Sequence, residues 1–329
     1  KYTVATNSCT SALHLALLTA NLQRTEIIVP AFTYIATVHP ILYINARPKW
    51  VDINEDTLCI DPANLKKKIT RKTKAIICVD YAGYPCNYDK IREIADKNEL
   101  IIIEDAAQSF GAIYKNKKIG SFPWLTTFSF YATKNLTTGD GGMITTSRKL
   151  EFEYLRKIRA LGIVDIWSRI KTPKRFHWKF LCDTLGYKYY MNDVTATIGL
   201  SNLEIFNKIQ KERETIYLRY NDSLSEIQQI KIPPEPPTGT KPSYYAYVIK
   251  VKRTAHRNKL MNYLYKKGIT TGVHYEPVYH HPLYSRYVSS TPVTEQIWQK
   301  VLTLPLYNGL KNEEQDYIIK CIKDFFYNE

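Results

Sequence analysis

Over its first 150 residues the chain alternates short apolar runs with helix-like segments, and no other feature restricts the possible fold so strongly. "EIIVP" (26–30), "RPKWVDI" (47–53), "TKAIICVDY" (73–81), "ELIIIEDAA" (99–107), "LTTFSFYAT" (125–133) and "GGMITTS" (141–147) read as strands. "TSALHLALLTA" (10–20), "YIATVHPILYI" (34–44) and "NYDKIREIADKN" (87–98) read as helices between them. Strands separated by helical patterns require crossover connections, which predicts an α/β domain: a mostly parallel sheet with helices on both faces.

The second half reads differently. A long helical pattern runs through 191–224, with Asn192 as its cap, and "IPPEPPTGTKPS" (232–243) follows as the strongest break in the chain. Beyond it come a strand-like "YYAYVIKV", a helix "AHRNKLMNYLYKKG" (255–268) ending at a glycine, and a closing amphipathic helix "EEQDYIIKCIKDFFY" (313–327). The 329 residues therefore predict two domains. A large one spans 1–205 and a small α+β one spans 206–329, joined by a connecting helix over about 192–224.

Composition removes several function classes. No apolar run approaches the ~20 residues a membrane span needs, and no basic segment with an apolar stretch and cleavage site opens the sequence, so a cytoplasmic protein without membrane contact is expected. Cys9, Cys59, Cys78, Cys86, Cys182 and Cys321 are scattered without a CxxC pair, which favours reduced thiols over disulfides or zinc. No metal site is expected. The formal charge is 46 − 31 = +15, but the lysines are spread widely, and "LKKKITRKTK" (65–74) reads as a solvated helix end and turn. Without an aromatic–basic motif, nucleic acid is not an expected partner. A basic rim would still attract a substrate bearing a pyrophosphate.

In open parallel sheets ligands bind at the carboxyl ends of the strands, and four such ends carry suggestive chemistry. "ATNSCTSALHLAL" (5–17) runs from a strand end into a helix, which aims the N–H groups of Thr10 and Ser11 at an anion; a plain helix cap is the alternative. "LIIIEDAAQSFGA" closes a strand with Glu104, Asp105 and then Gln108. A carboxylate there could cap a helix, ligate Mg²⁺ or pair with a protonated nitrogen, and the lack of a GxxxxGK[ST] loop weakens the Mg²⁺ option. Lys134 lies between the strand carrying Ser129 and the "TTGDGG" loop, whose glycines permit close approach to a ligand. Frequency alone would make it a surface lysine, yet a lysine in a partly desolvated pocket can serve as a neutral amine toward a carbonyl. A phosphate cup at Thr10 and Ser11, a carboxylate at Asp105 and an imine-forming amine at Lys134 are the three parts that a pyridoxal phosphate site requires.

At these residues the chain resembles the DegT/DnrJ/StrS family of nucleotide-sugar aminotransferases, members of the fold-type-I aspartate aminotransferase superfamily. The likeness runs from "YTVATNSCTSALHLAL" through "VPAFTYIATVHPIL", "PKWVDINEDTLCID", "IIIEDAAQSFGA", "FSFYATKNLTTGDGGMITT" and "GYKYYMNDVTATIGLSNL" to "GVHYEPVYHHPLY" and "LPLYNGL". It implies a large domain with a seven-stranded-type sheet and a small C-terminal domain. It also implies pyridoxal 5′-phosphate, alternating with pyridoxamine 5′-phosphate, as cofactor. Lys134 and Asp105 become the catalytic residues, one bonded to the cofactor and acting as base, the other holding the pyridine nitrogen protonated. Gln108 contacts the oxygen side of the ring, Tyr34 its face, and Thr10, Ser11 and Ser129 the phosphate.

The family forms homodimers with shared active sites, so a residue of "GYKYYMND" is expected to reach the partner's phosphate. Many relatives carry Asn and Arg where this chain has Lys188 and Tyr190, which leaves Lys188, Tyr190 and Asn192 as candidates; Tyr190 and Asn192 are read as cofactor contacts. His274 and Tyr275, with Lys188, fall in segments that the resemblance places near the sugar. Relatives usually place a few dozen residues, including an opening helix and a glycine-containing loop near the substrate, ahead of the segment matching "YTVATNS"; either part of that stretch precedes the residues read here or the element has been lost, and one wall of the substrate pocket is not legible.

The implied reaction moves an amino group from glutamate to a keto-6-deoxyhexose nucleotide in amino-sugar and polysaccharide biosynthesis. The beginning "GYKY" resembles enzymes acting at C4, of the perosamine or viosamine type, more than those acting at C3. A related sugar dehydratase would carry histidine in place of Lys134, a non-catalytic nucleotide-sugar sensor would lose that lysine, and a nucleic-acid binder would rest on charge alone. Neither the nucleotide nor the stereochemistry is legible.

Overall fold

The computed structural model describes residues 2–164, 180–287 and 289–327. Strands β1 (Tyr2–Thr6), β2 (Glu26–Pro30), β3 (Arg47–Val51), β4 (Thr73–Val79), β5 (Ile101–Asp105), β8 (Leu125–Ser129) and β9 (Gly142–Thr146) form one sheet in the order β1-β9-β8-β5-β4-β2-β3. A two-stranded hairpin, β6 (Ile113–Tyr114) and β7 (Lys117–Lys118), projects between β5 and β8. Pairings from β3 to β8 are parallel, and only β9 runs antiparallel to both of its neighbours.

Both faces of this sheet are covered, which is why its central strands are apolar at successive positions rather than alternating. Ile27, Val29, Ala75, Ile77 and Ile103 face one way, against α1 (Cys9–Thr19), α2 (Ile35–Tyr43) and α5 (Lys149–Ile158). Ile28, Ile76, Cys78 and Ile102 face the other way, against α3 (Pro62–Lys68) and α4 (Tyr88–Lys97). α4 presents Tyr88, Ile91 and Ala95 to the core, spaced three and four residues apart as one helix face demands.

A separate core forms in the C-terminal part. It gathers Tyr220 and Leu224 of α7 (Phe206–Leu224), Tyr247 and Ile249 of β13 (Tyr247–Val251), Leu260 and Leu264 of α8 (Thr254–Lys266), Leu302 of β14 (Val301–Leu304) and Ile322 of α10 (Asn312–Tyr327). Here β13 lies between β12 (Ile230–Lys231) and β14, antiparallel to both. Between these elements the chain returns to the large sheet. Val278, Tyr279 and Tyr284 join the core beside Trp50, and Asp52 accepts hydrogen bonds from the amides of Val293 and Thr294 at the start of α9 (Pro292–Ile297).

Two features differ from the sequence expectation. The helical pattern over 191–224 is two helices, α6 (Asp193–Glu204) and α7, divided at Ile205, whose backbone at φ −99° and ψ 2° ends one helix and opens the next. The Pro-rich stretch, read as the strongest break in the chain, is bound along its length as a strap. Lys241 and Ile113 exchange backbone hydrogen bonds at 2.7 and 2.8 Å, Asn116 N–H donates to Gly239 O at 2.8 Å, and Ser243 N–H donates to Gly83 O at 2.9 Å. Proline lacks an N–H, so the strap bonds only at its non-proline positions. A further short pair, β10 (Ile163–Val164) with β11 (Leu181–Cys182), precedes α6.

Candidate active site

The parallel register sets the carboxyl ends of the strands side by side. Val79 pairs with Asp105, Asp105 with Thr127, Ser129 with Gly142, and Gly142 with Thr6, immediately before α1. Gly142 is required there for space: a Cβ would stand 2.5 Å from the carbonyl carbon and oxygen of Ser8 and 2.7 Å from the Cys9 nitrogen. The absence of a side chain lets β9 pass against the amino end of α1, which brings Ser129 beside that helix start.

At the α1 terminus Ser8, not an incoming anion, takes the Ser11 amide: Ser8 Oγ accepts that N–H at 3.1 Å. Ser11 Oγ in turn donates to Asn7 Oδ1 at 2.7 Å. The N–H groups that this cap leaves over belong to Cys9 and Thr10, so the Ser11 amide expected to face an anion is instead taken up within the helix cap. These amides stand at the positive end of a helix dipole, and Gly142, which pairs with Ser129, packs against the same helix start.

Asp105 is buried at the end of β5. Thr37 Oγ1 donates to its Oδ2 at 2.7 Å, and the Ala107 amide donates to its Oδ1 at 3.1 Å. Thr33 Oγ1 lies 2.8 Å from Thr37 Oγ1, which extends the chain by one link. Burial pushes the carboxyl above its usual range, opposed by the Thr37 and Ala107 hydrogen bonds and by the positive charge of Lys134. A carboxylate held this way calls for a cationic donor, as a protonated ring nitrogen would be.

Lys134 is half-buried just beyond β8, its Nζ donating to the Tyr245 hydroxyl at 3.3 Å and sitting 4.4 Å from the centre of that ring. It lines a cleft of about 540 Å³ between the two cores, with Tyr81 and Gln108 on one side and Tyr245, His274, Tyr275 and Thr303 on the other. Gln108 is fixed at both ends of its amide: Oε1 accepts from Ala82 N–H at 2.6 Å and Nε2 donates to Tyr275 OH at 2.9 Å. Gly83, at φ +86°, permits the tight turn beside it, and Ser243 Oγ donates to Gln108 O at 2.5 Å to tie the strap to the same loop. Tyr34 caps the start of α2 with its ring exposed, 5.8 Å from the ring of Tyr275. His274 has its Nδ1 2.8 Å from Thr303 Oγ1, and burial, aided by the Lys134 charge, lowers its pKa.

Lys134, Gln108, His274 and Tyr275 thus line one cleft, Asp105 lies near enough for Lys134 to act on its charge, and Ser129 and the start of α1 with Thr10 and Ser11 follow from Asp105 through strand register. Lys188, Tyr190 and Asn192 are exposed and do not line the cleft. Their segment passes close to the start of α1, since Asn7 N–H donates to Tyr189 O at 2.7 Å, and Asn192 caps α6 by accepting the Thr195 N–H at 3.0 Å.

Four contributors escaped the sequence reading. Thr33 and Thr37 are spaced i, i+4 around the start of α2, a pattern that could have marked a hydroxyl pair facing one ligand. Tyr245 left no signal apart from its place in a Tyr-rich run. Arg213 is buried in the cleft wall, where burial lowers its pKa to about 10. It donates to Tyr244 O at 3.0 Å, Tyr245 O at 2.7 Å and Leu306 O at 3.2 Å, which fixes the loop that presents Tyr245.

The model of the DegT/DnrJ/EryC1/StrS aminotransferase family matches residues 1–323. The GDP-perosamine synthase of Escherichia coli O157:H7 is 33% identical over 327 residues, covering 99% of this chain and 86% of that protein. The spore coat polysaccharide biosynthesis protein SpsC of Bacillus subtilis is 34% identical, over 98% of this chain and 85% of its own. Among solved structures, the putative sugar aminotransferase Spr1654 of Streptococcus pneumoniae in its PMP form superposes with a TM-score of 0.93 at 29% identity, covering 99% of this chain and 88% of that one. The sugar aminotransferase CalS13 of Micromonospora echinospora gives 0.90 at 28% identity, over 98% and 87%.

Proposed function

From the premise that this chain belongs to the DegT/DnrJ/EryC1/StrS aminotransferase family, we propose that it moves an amino group from glutamate to C4 of a nucleotide-linked keto-6-deoxyhexose. The protein is a sugar aminotransferase of fold type I that uses pyridoxal phosphate. The observation that carries the proposal is the joint placement of a half-buried Lys134 on the cleft, a buried Asp105 within reach of its charge, and a helix amino end linked to Asp105 through the register of the strand ends. The choice of C4 is supported by likeness to the GDP-perosamine synthases of E. coli O157:H7 and Vibrio cholerae, at 33% and 30% identity.

The residues present fit the cofactor's three demands. Thr10, Ser11 and Ser129 would hold its phosphate, Asp105 its ring nitrogen, Gln108 the oxygen side, Tyr34 the ring face, and Lys134 its carbonyl carbon. When bound, pyridoxal phosphate supplies an electron sink that lets a proton leave the carbon bearing the amino group. Lys134 Nζ would accept that proton and deliver it to the cofactor's carbonyl carbon, serving as general base and then as general acid. Asp105 keeps a negative charge opposite the ring nitrogen, and Thr37 keeps Asp105 charged. His274, with burial favouring its neutral form, faces the same space and would contact the sugar with Tyr275.

A second copy of the chain completes the site in this proposal. α6 buries none of its residues, and Val194, Ile198, Leu200 and Leu203 stand exposed along it, directly after the segment with Lys188 and Tyr190. An apolar helix face of this kind needs a cover, and a homodimer would carry Lys188, Tyr190 or Asn192 to the partner's phosphate cup. Among the described residues no helix is long and apolar enough to cross a membrane, and all six cysteines are free, which supports action in the cytoplasm.

The test is incubation of the holoenzyme with glutamate and a panel of 3-keto and 4-keto nucleotide sugars, read by mass spectrometry and NMR. A 4-amino sugar with matching 2-oxoglutarate is expected. A 3-amino product would overturn the choice of carbon, and no glutamate-dependent product from any member would overturn the proposal.

A further inference from the structure

At the end of the large sheet opposite Lys134, the amino ends of β2, β3 and β4 are held together by backbone bonds: Arg24 N–H donates to Ile44 O at 3.3 Å, Arg47 N–H to Thr25 O at 2.8 Å, and Glu26 N–H to Lys72 O at 3.4 Å. These bonds fix Arg24, Arg47, Lys49, Lys72 and Lys74 around one groove of about 570 Å³. Among the described residues its only acidic lining residue is Glu26.

Glu26 does not neutralise the group. Thr70 Oγ1 and Thr73 Oγ1 each donate to its Oε1 at 2.8 Å, and Lys49 pairs with the same oxygen at 3.4 Å. Burial would raise this carboxyl, yet the bonds from Thr73 and Thr70 with the Lys49 charge hold it below its usual range. Glu26 and Lys49 therefore cancel, and four cations remain. Among the described residues Arg24, Arg47, Lys72 and Lys74 have no ion-pair partner. Like charges gathered on a concave surface repel one another and raise the local concentration of anions. Arg24 also occupies a left-handed conformation at φ 59°, an uncommon one for a side-chain-bearing residue.

We propose that this groove binds an oligophosphate group, free or carried on a nucleotide, at a site separate from the cleft of Lys134. Two guanidinium forks match paired phosphate oxygens and two ammonium groups supply point charge. The volume lies in the range of small-molecule sites, about 300–1,000 Å³. Trp50 is fully buried and Tyr287 half-buried, so the groove lacks the series of open aromatic platforms on which single-stranded nucleic acid stacks. The basic run 65–74 thereby contributes Lys72 and Lys74 to a defined anion site instead of serving only as a solvated turn.

Calorimetric titration of the holoenzyme with inorganic tripolyphosphate, and separately with ATP, tests this. Saturable binding that weakens as salt is raised is expected, and the double variant Arg24→Gln/Arg47→Gln should lose affinity by about tenfold or more with melting temperature and amino transfer unchanged. Equal affinity for the two probes assigns recognition to the phosphate chain, and much tighter ATP binding assigns the source to a nucleotide; either supports the site. Absence of binding, binding undiminished in the double variant, or retention of a single-stranded oligonucleotide without any tripolyphosphate binding would overturn it.

Discussion

Replacing Thr37 with valine removes one oxygen and keeps the shape, which makes it a clean perturbation of the Asp105 charge. The hydroxyl donates to a fully buried carboxylate at 2.7 Å and is the first of the influences that oppose burial at this carboxyl. Hydrogen bonds to charged groups contribute about 1.5–3 kcal/mol, and one pKa unit corresponds to about 1.36 kcal/mol, so Thr37→Val should raise the Asp105 pKa by roughly one to two units. Because the acid is needed ionised, the direction is fixed: protonation of Asp105 would set in at higher pH, and the acid limb of the kcat/KM profile for glutamate should move upward. At pH values below the parent's acid limb the variant should lose about tenfold to a hundredfold in rate, with cofactor content little changed. Thr33→Ala should give a smaller shift in the same direction, since Thr33 reaches Asp105 only through Thr37. An acid limb that stays in place in Thr37→Val would refute the claim that this hydroxyl maintains the charge.

Three further outcomes follow from the geometry. Lys134→Ala should abolish both turnover and the long-wavelength absorbance of the bound cofactor; turnover at the parent rate would remove Lys134 from the mechanism. Gly142→Ala should destabilise by about 1–3 kcal/mol through overpacking and weaken cofactor retention on dialysis, because the new methyl meets the Ser8 carbonyl at 2.5 Å; unchanged thermal stability would contradict the close contact. Glu104 is fully buried, accepts from Trp124 Nε1 and Thr126 Oγ1 at 2.7 Å each, and is pushed up to about 8 by burial and then by the Asp80 charge. Between the ordinary carboxylate value and about 8 the folded state keeps a proton that the unfolded chain releases, so stability should fall as pH rises through that window, by at most about 1.4 kcal/mol per pH unit from this group. Glu104→Gln should flatten the decline above about pH 6, leaving below it the part due to Asp80, itself raised to about 6 by burial; an unaltered slope of melting temperature against pH would count against this.

The large sheet was legible because its strands are buried on both faces and therefore continuously apolar, as in "TKAIICVDY" and "ELIIIEDAA". The site was legible for a related reason: parallel strands end at one edge, so Asp105, Ser129 and Lys134 could be read as neighbours from strand ends alone. What escaped depends on contacts between distant segments. The break at Ile205 carries no glycine or proline, and the helical pattern runs through it without a local signal. The Pro-rich strap read only as a break because its partners, Ile113 and Gly83, lie more than a hundred residues earlier. β14 is a four-residue run, too short to tell from a buried loop. Tyr245 and Arg213 acquire their places only when the second core closes against the first.

The central claim is that Lys134 is the amine that holds the cofactor's carbonyl carbon. Borohydride reduction of the holoenzyme, followed by proteolysis and mass spectrometry, tests it directly. A phosphopyridoxyl group fixed to Lys134 is the expected result; the same group on a different lysine, or on none, would contradict it.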